Sequence, residues 1–334
     1  MLEHLTLILL VVLGLAVLFD YINGFHDTAN AIATSVSTRA LKPEHAILMS
    51  ATANFVGALT GTAVAKTISS GLATTPDGTP GQVIVAAALI GAIAWNLLTW
   101  RLGIPSSSSH ALIGGLLGAV IVSVGTGAII VDGVLGKVLL PLVVSPIAGI
   151  TIGFLFMVVL LNMFKRAHPR RMNDRFRKLQ VLSAGYMAFS HGSNDAQKTM
   201  GIMTLALFTA GAIPNDDVPL WVILLAATAI SLGTAAGGWR IIKTMGQRVV
   251  KLDPVHGFAA ETTAATIIFV ASHLGMPVST THVISSAIMG VGSSDRLSAV
   301  RWGVAGNIIV AWILTIPASG LTAAVAFFVL DLFF

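Results

Sequence analysis

Apolar runs of roughly 20 residues, the length a helix needs to cross a hydrocarbon core of about 30 Å, recur along the whole of this 334-residue chain. No other feature restricts the fold as much, because inside a bilayer every backbone polar group must be satisfied within a helix or a closed barrel. The period-two alternation of a transmembrane barrel is absent. Only 10% of the residues are charged and 55% are hydrophobic, whereas a soluble domain carries about a quarter charged residues. The expected fold class is therefore an all-α polytopic membrane protein. The first apolar stretch, Leu5 to Phe19, has neither a basic leader nor a small-residue cleavage site and reads as the first span, not as a removed signal peptide. With no cysteine in the chain, disulfides, thiolate metal sites and cysteine nucleophiles are excluded.

The net charge of +5 is concentrated in short loops, which makes it a topology signal and not a nucleic-acid surface. Lys165, Arg166, Arg170, Arg171, Arg175, Arg177 and Lys178 cluster around the single acid Asp174. That stretch, 164–178, is expected to be a cytoplasmic linker between a first repeat, 1–163, and a second, 179–334. Arg39 with Lys42, Arg240 to Lys251, and Arg296 with Arg301 fall on the same side. Segments 71–82, 126–133 and 211–219 carry Asp77, Asp132, Asp216 and Asp217 without Lys or Arg and read as external. The alternation puts both termini outside, with about five membrane elements per half, so that the halves run antiparallel. Leu5 to Thr38 and the region around Pro105 are expected to be broken spans or re-entrant hairpins.

Two pairs of segments repeat at nearly constant spacing. Gly24-Phe-His-Asp27-Thr-Ala-Asn30 matches Gly192-Ser-Asn-Asp195-Ala-Gln-Lys198, and Pro105-Ser-Ser-Ser-Ser109-His110 matches Pro277-Val-Ser-Thr-Thr281-His282. A weaker third match sets Pro146 and Gly149 against Pro317 and Gly320. Reuse of one unit in two antiparallel halves is the inverted-repeat plan of secondary transporters, whose sites lie near the midplane where discontinuous helices meet.

Each repeated motif has a chemistry. An acid at the centre of a membrane helix costs on the order of 3 kcal/mol, so Asp27 and Asp195 call for a cation or proton, and Asn30 and Asn194 offer neutral oxygens beside them. The plainer alternative is that each Asp caps a helix after a glycine break. Ser107, Ser108 and Ser109, and Ser279, Thr280 and Thr281, follow a proline at positions expected of a helix start. There, free N–H groups and hydroxyls form an anion site, unless they serve only as caps or small packing residues. His110 and His282 close these segments, and His26 and His191 flank the aspartates as donors, proton acceptors or interhelical bonds. Lys198 is placed to pair with Asp195 or with the anion. Glu261 is an intramembrane acid without a first-half counterpart and a candidate for proton coupling. Asn54, Asn96 and Asn307 are explained by interhelical hydrogen bonds. There is no Walker loop and no hydrolase or metal-chelating motif, so an enzyme is not expected.

At these residues the chain resembles the inorganic phosphate transporter (PiT) family, in its bacterial low-affinity phosphate symporter branch, essentially end to end. That family carries a duplicated Gly-Ala-Asn-Asp-Val-Ala-Asn-Ala signature and a Pro-x-Ser-Thr-Thr-His segment after each copy. The matching positions are Asp27, Asn30, Asn194 and Asp195, with Ser107 to His110 and Ser279 to His282. The resemblance implies phosphate symport by alternating access, with the anion between the hydroxyl-rich segments and cations or protons at Asp27, Asn30, Asn194 and Asp195; the residues themselves add Lys198 beside the anion and His26 and Glu261 as coupling groups. His26 stands where the family has Asn, as in the branch regarded as proton-coupled and able to carry metal-phosphate complexes, the metal then lying at Asp27 and Asp195. A sodium-coupled phosphate symporter and a sulfate permease on the same scaffold remain alternatives. The implied partners are phosphate, a coupling sodium ion or proton, a divalent metal travelling with phosphate, the lipid bilayer and, as an open case, a second copy in a homodimer. No resident cofactor and no nucleic acid are implied, and the implied location is the bacterial inner membrane.

Overall fold

The computed structural model describes residues 6–334; the amino-terminal residues 1–5, and with them the start of the Leu5 run and the side taken by that terminus, lie outside the described residues. The first half comprises α1 (Leu7–Ser37), α2 (Pro43–Ala58), α3 (Ala63–Ser70), α4 (Thr79–Leu102), α5 (Ser108–Ser123) and α6 (Val131–Met163), of which Val134–Leu139 is a π-helical stretch. The second comprises α7 (Pro169–Thr209), α8 (Leu220–Ala236), α9 (Trp239–Lys243, running into a π turn over Thr244–Arg248), α10 (Pro254–His273), α11 (Thr280–Ser293) and α12 (Trp302–Leu330). The second half repeats the first six helices in order. No extended strand occurs among the described residues.

The bent pair α2 and α3, at 69°, corresponds to the bent pair α8 and α9, at 63°. Counting each pair as one element gives five per half. At 1.5 Å per residue α5 and α11 reach only about 24 and 21 Å, less than the hydrocarbon thickness. These are the broken elements whose first turns lie within the bundle. Contacts follow the same symmetry: α1 packs on α4 as α7 packs on α10, α1 on α8 as α7 on α2, and α5 on α12 as α11 on α6. The halves are thus interleaved, each lending its last helix to the short helix of the other.

Two expectations are corrected. The span from Leu5 to Thr38 is not broken: α1 is one helix of 31 residues and α7 one of 41, so neither Asp27 nor Asp195 caps a helix after a glycine break. The glycines serve close approach instead. A Cβ at Gly24 would stand 2.4 Å from Ile230 O on α8, and one at Gly192 would stand 2.2 Å from Asn54 O on α2. The symmetric partners Gly233 and Gly57 meet Tyr21 O and Phe189 O at 2.1 and 2.0 Å. Second, the basic stretch 164–178 is not a loop throughout, because from Pro169 onward it forms the first turns of α7. Pro146 and Pro317 lie inside α6 and α12, and Gly149 lets α6 close on Ser286 of α11.

The acidic connections gather at one end of the bundle. Thr74 N–H donates to Ala128 O at 2.8 Å, Gly78 N–H to Thr209 O at 2.7 Å, and Lys66 pairs with Asp217 at 3.5 Å. The core divides into two apolar clusters. One, toward that end, includes Phe19, Leu89, Leu116 and Met203; the other includes Ile32, Met157, Phe176, Met187 and Ile284. On α1 and α7 the change from one cluster to the other falls across residues 20–28 and 189–195, where the polar side chains are buried. The fold therefore holds its polar residues in a layer halfway through the bundle.

Candidate functional site

The layer is centred where α1 and α7 pass each other. One ligand atom each of Asp27, His191 and Asp195 lies within 4.8 Å of the others, so acids from the two halves face each other directly. All three side chains are buried. Two carboxylates at that separation cannot both stay charged without compensation, and each has a basic neighbour on its own helix. His26 Nδ1 is 2.6 Å from Asp27 Oδ1, while its Nε2 is 3.1 Å from Thr99 Oγ1. Lys198, three residues after Asp195, binds Asp195 Oδ1 and also donates to Ser109 Oγ. His191 Nε2 stands 3.5 Å from Asp195 Oδ2, and its Nδ1 is held by Asn54 Oδ1 at 3.0 Å.

The hydroxyl segments form helix starts, as their spacing suggests. Ser107 Oγ accepts the His110 N–H at 3.1 Å and Ser279 Oγ accepts the His282 N–H at 3.2 Å. Pro105 and Pro277, two residues ahead, suit the extended chain that enters each cap. The first-turn N–H groups of Ser108, Ser109, Thr280 and Thr281 have no acceptor within their own helices and carry the positive end of the helix dipole.

These segments and the aspartate motifs are not separate sites. Ser108 Oγ donates to Asp27 Oδ2 at 3.3 Å, and Asn30 Nδ2 donates to Thr280 Oγ1 and Thr281 Oγ1 at 3.2 and 2.9 Å. The hydroxyls differ in what they have left to give. Ser109 donates to Val278 O at 3.0 Å and has no spare hydrogen. Ser107, Ser279, Thr280 and Thr281 act as acceptors in the bonds above, so their hydrogens are free for an anion. His110 and His282 meet edge to face at 4.8 Å, and His282 stacks on Trp312 at 3.9 Å.

Asn194 turns its amide to Ser272 Oγ and Met276 O, which leaves its Oδ1, like Asn30 Oδ1, without a partner. Glu261 is not at the centre. It accepts from Thr34 Oγ1 at 2.5 Å, from Gln180 Nε2 at 3.1 Å and from the Ser183 hydroxyl, two turns beyond Asp27 toward the basic end. Residues that the structure adds are Thr99 beside His26, Gln180 and Ser183 beside Glu261, and Asp20 with Asn23 on α1, all outside the sequence motifs, together with Ser106 within the first hydroxyl segment, which donates to Thr99. Asp20, a buried acid in an apolar helix, carries its own signal in the sequence. The hydroxyls and amides do not, since ordinary helices contain many of them.

The profile of the phosphate transporter family matches residues 23–172 and again 162–323, once per half. A "Probable low-affinity inorganic phosphate transporter" of Bacillus subtilis (strain 168) is 49% identical over 328 residues, covering 98% of each chain. One of the same description from Rhizobium meliloti (strain 1021) is 48% identical and covers 96% of each. Among solved structures, "The sodium-dependent phosphate transporter" superposes with a TM-score of 0.91 at 26% identity, over 98% of this chain and all of that one.

Proposed function

The chain belongs to the phosphate transporter family, and from that premise we propose that it is a secondary active symporter that couples inorganic phosphate to protons by alternating access, accepting phosphate as a metal complex as well. It is a multi-pass membrane transporter and not an enzyme. The observation that carries the coupling reading is the internal pairing of the two central acids, Asp27 with His26 and Asp195 with Lys198. A sodium ion at Asp27 would compete with an imidazole already in hydrogen-bond contact, whereas a proton can pass along that His–Asp contact.

Phosphate binds, in this reading, between the first turns of α5 and α11. Ser107, Ser279, Thr280 and Thr281 donate hydroxyls, Ser108, Ser109, Thr280 and Thr281 donate backbone N–H groups, and Lys198 supplies charge through Ser109. His110 and His282 form the wall behind. Asp27 and Asp195 act as acceptors, which suits an anion that carries its own hydrogens and disfavours sulfate, which has none at neutral pH. A divalent ion travelling with phosphate would take Asp27, Asp195 and His191. Glu261, with Thr34, Gln180 and Ser183, is the next protonatable station toward the basic end. The basic linker 164–178 faces the cytoplasm, the halves 1–163 and 179–334 move relative to each other, both termini lie outside, and the membrane is the bacterial inner membrane.

The second reading, sodium coupling, is favoured by the sodium-dependent relative of like fold and by the unpartnered Asn30 Oδ1 and Asn194 Oδ1. Uptake of labelled phosphate into proteoliposomes separates the two. Accumulation driven by an inward proton gradient in sodium-free buffer is expected, and it should be lost in Asp27→Asn and Asp195→Asn while both variants remain folded. Accumulation that requires sodium and ignores the proton gradient overturns the proton reading.

A further inference from the structure

The arginines of the chain are not equally employed. Arg240 donates to Arg101 O at 2.8 Å and its guanidinium lies 5.1 Å from the centre of the Trp100 ring, while Arg177 stands 3.8 Å from Asp174, the one acid in residues 164–178. Arg166, Arg171 and Arg175 have no hydrogen-bond or ion-pair partner among the described residues, yet all three line one cavity of about 360 Å³ where α6 gives way to α7. Asp253 and Asp295 line the neighbouring cavity and are bound to His256. Three positive charges therefore share one cavity without a counter-charge from the protein.

The floor of that cavity is apolar and held in place. Phe164 and Phe176 line it, and buried Phe176 meets Phe164 edge to face at 5.5 Å and Phe258 of α10 at 5.3 Å. Arg171, Arg175, Leu179 and Leu182 follow one another at spacings of four, four and three, which puts them on one face of α7. Leu179 and Leu182 are exposed, as are Leu161 and Met163 at the end of α6. In a bilayer such side chains meet lipid, so the guanidiniums stand at the head of a face that contacts acyl chains. A free anion would use the guanidiniums alone; an amphiphile uses both. Guanidinium groups bind phosphate oxygens through paired N–H donors, and basic pockets at the membrane surface hold phospholipid headgroups in this way. A zwitterionic headgroup would bring an ammonium among three arginines, whereas one with a phosphodiester and no amine brings only the missing negative charge.

We propose that Arg166, Arg171 and Arg175, over Phe164 and Phe176, bind the headgroup of an anionic phospholipid whose acyl chains lie along the exposed leucines of α7 and the end of α6. This site goes beyond the transport reading, since none of its residues belongs to the central polar layer, and it stands whether phosphate is driven by protons or by sodium.

The test is lipid-dependent stabilisation of the purified full-length protein in neutral detergent, titrated with cardiolipin or with phosphatidylethanolamine. A ligand that binds only the folded state raises the unfolding midpoint as its concentration grows. The midpoint is expected to climb with cardiolipin and not with phosphatidylethanolamine. Arg171→Gln combined with Arg175→Gln should need at least about tenfold more cardiolipin for the same rise, and Arg166→Gln alone should shift the titration in the same direction. Arg170→Gln combined with Arg177→Gln removes as much charge from the same segment outside the cavity and should keep the wild-type response. Inorganic phosphate is titrated in parallel, and the Arg171 and Arg175 substitutions should leave any response to it as in the wild type. A wild type that does not distinguish the two lipids overturns the proposal. An equal loss in both double variants also does so, because the attraction is then diffuse surface charge. A phosphate response abolished by the Arg171 and Arg175 substitutions makes free phosphate the occupant and overturns it as well.

Discussion

Thr280 and Thr281 show how one residue's hydrogen bonds set its use. Because Asn30 Nδ2 donates to both hydroxyl oxygens, their hydrogens point elsewhere, and the first turn of α11 presents two hydroxyl and two backbone donors together. Ser109, which is spent on Val278 O and approached by Lys198, instead holds the ammonium in place. The double substitution Thr280→Ala and Thr281→Ala is expected to weaken phosphate binding by about one to two orders of magnitude, at roughly 1 kcal/mol per lost hydrogen bond, without impairing insertion. Equilibrium binding of labelled phosphate to the purified variant measures this. Ser109→Ala should act differently, by loosening Lys198, and the contrast between the two variants tests the assignment of donors. Affinity unchanged in the threonine pair would mean that those hydroxyls only pack.

Among elements, the crossing of α2 with α7 depends on Gly192 and Gly57. A methyl at Gly192 would meet backbone atoms of Asn54 on α2 at 2.2 to 2.7 Å, so Gly192→Ala must push the helices apart. The cost should be about 1–3 kcal/mol, as for other overpacked positions. The shift also carries Asn54 away from His191, so both the unfolding midpoint and uptake should fall. A variant that keeps both would show that the crossing is slack. At the other end of the bundle, Asp253 caps α10 by accepting the Val255 and His256 N–H groups at 3.0 and 3.1 Å and the His256 ring at 2.7 Å. Burial by itself would raise its pKa, but the bonds and charge from His256 outweigh that and hold the carboxyl below its ordinary value. A carboxyl with a depressed folded pKa contributes stability above its unfolded pKa and loses it as the pH falls through the folded one. Asp253→Ala should therefore cost about 1 kcal/mol near neutrality, and the difference from wild type should vanish in acid below the ordinary carboxylate range. Thermal unfolding across that pH interval checks the sign.

For the whole molecule, the consequence of interleaving is that anion and cation groups form one network. Ser108 touches Asp27, Asn30 touches Thr280 and Thr281, and Lys198 joins Asp195 to Ser109. Coupling between ligands that share a network is reciprocal. In the proton reading, phosphate binding should change the number of protons held by the protein even without a membrane. Titration calorimetry in two buffers of different ionisation enthalpy reads this as a difference in apparent heat. Equal apparent heats in the two buffers would mean that no proton accompanies binding at the centre.

The amino-acid sequence by itself determined the class of the fold, the number of elements, the antiparallel halves and the paired motifs. These follow from hydropathy, loop charge and capping chemistry, which act over one or two turns and are written in consecutive residues. It also marked Pro105 and Pro277 as the entries to helix starts, which α5 and α11 bear out. The tertiary structure decided that α1 and α7 pass unbroken through their glycines, because Gly24 and Gly192 are needed by a helix from the other half and not by their own. It decided that Asp27 and Asp195, 168 positions apart in the sequence, share one centre, and that each brings its own basic partner, His26 or Lys198. Such pairings depend on how helices distant in sequence cross. A carboxylate has the same local sequence whether the opposing helix offers it a lysine, three donors or nothing.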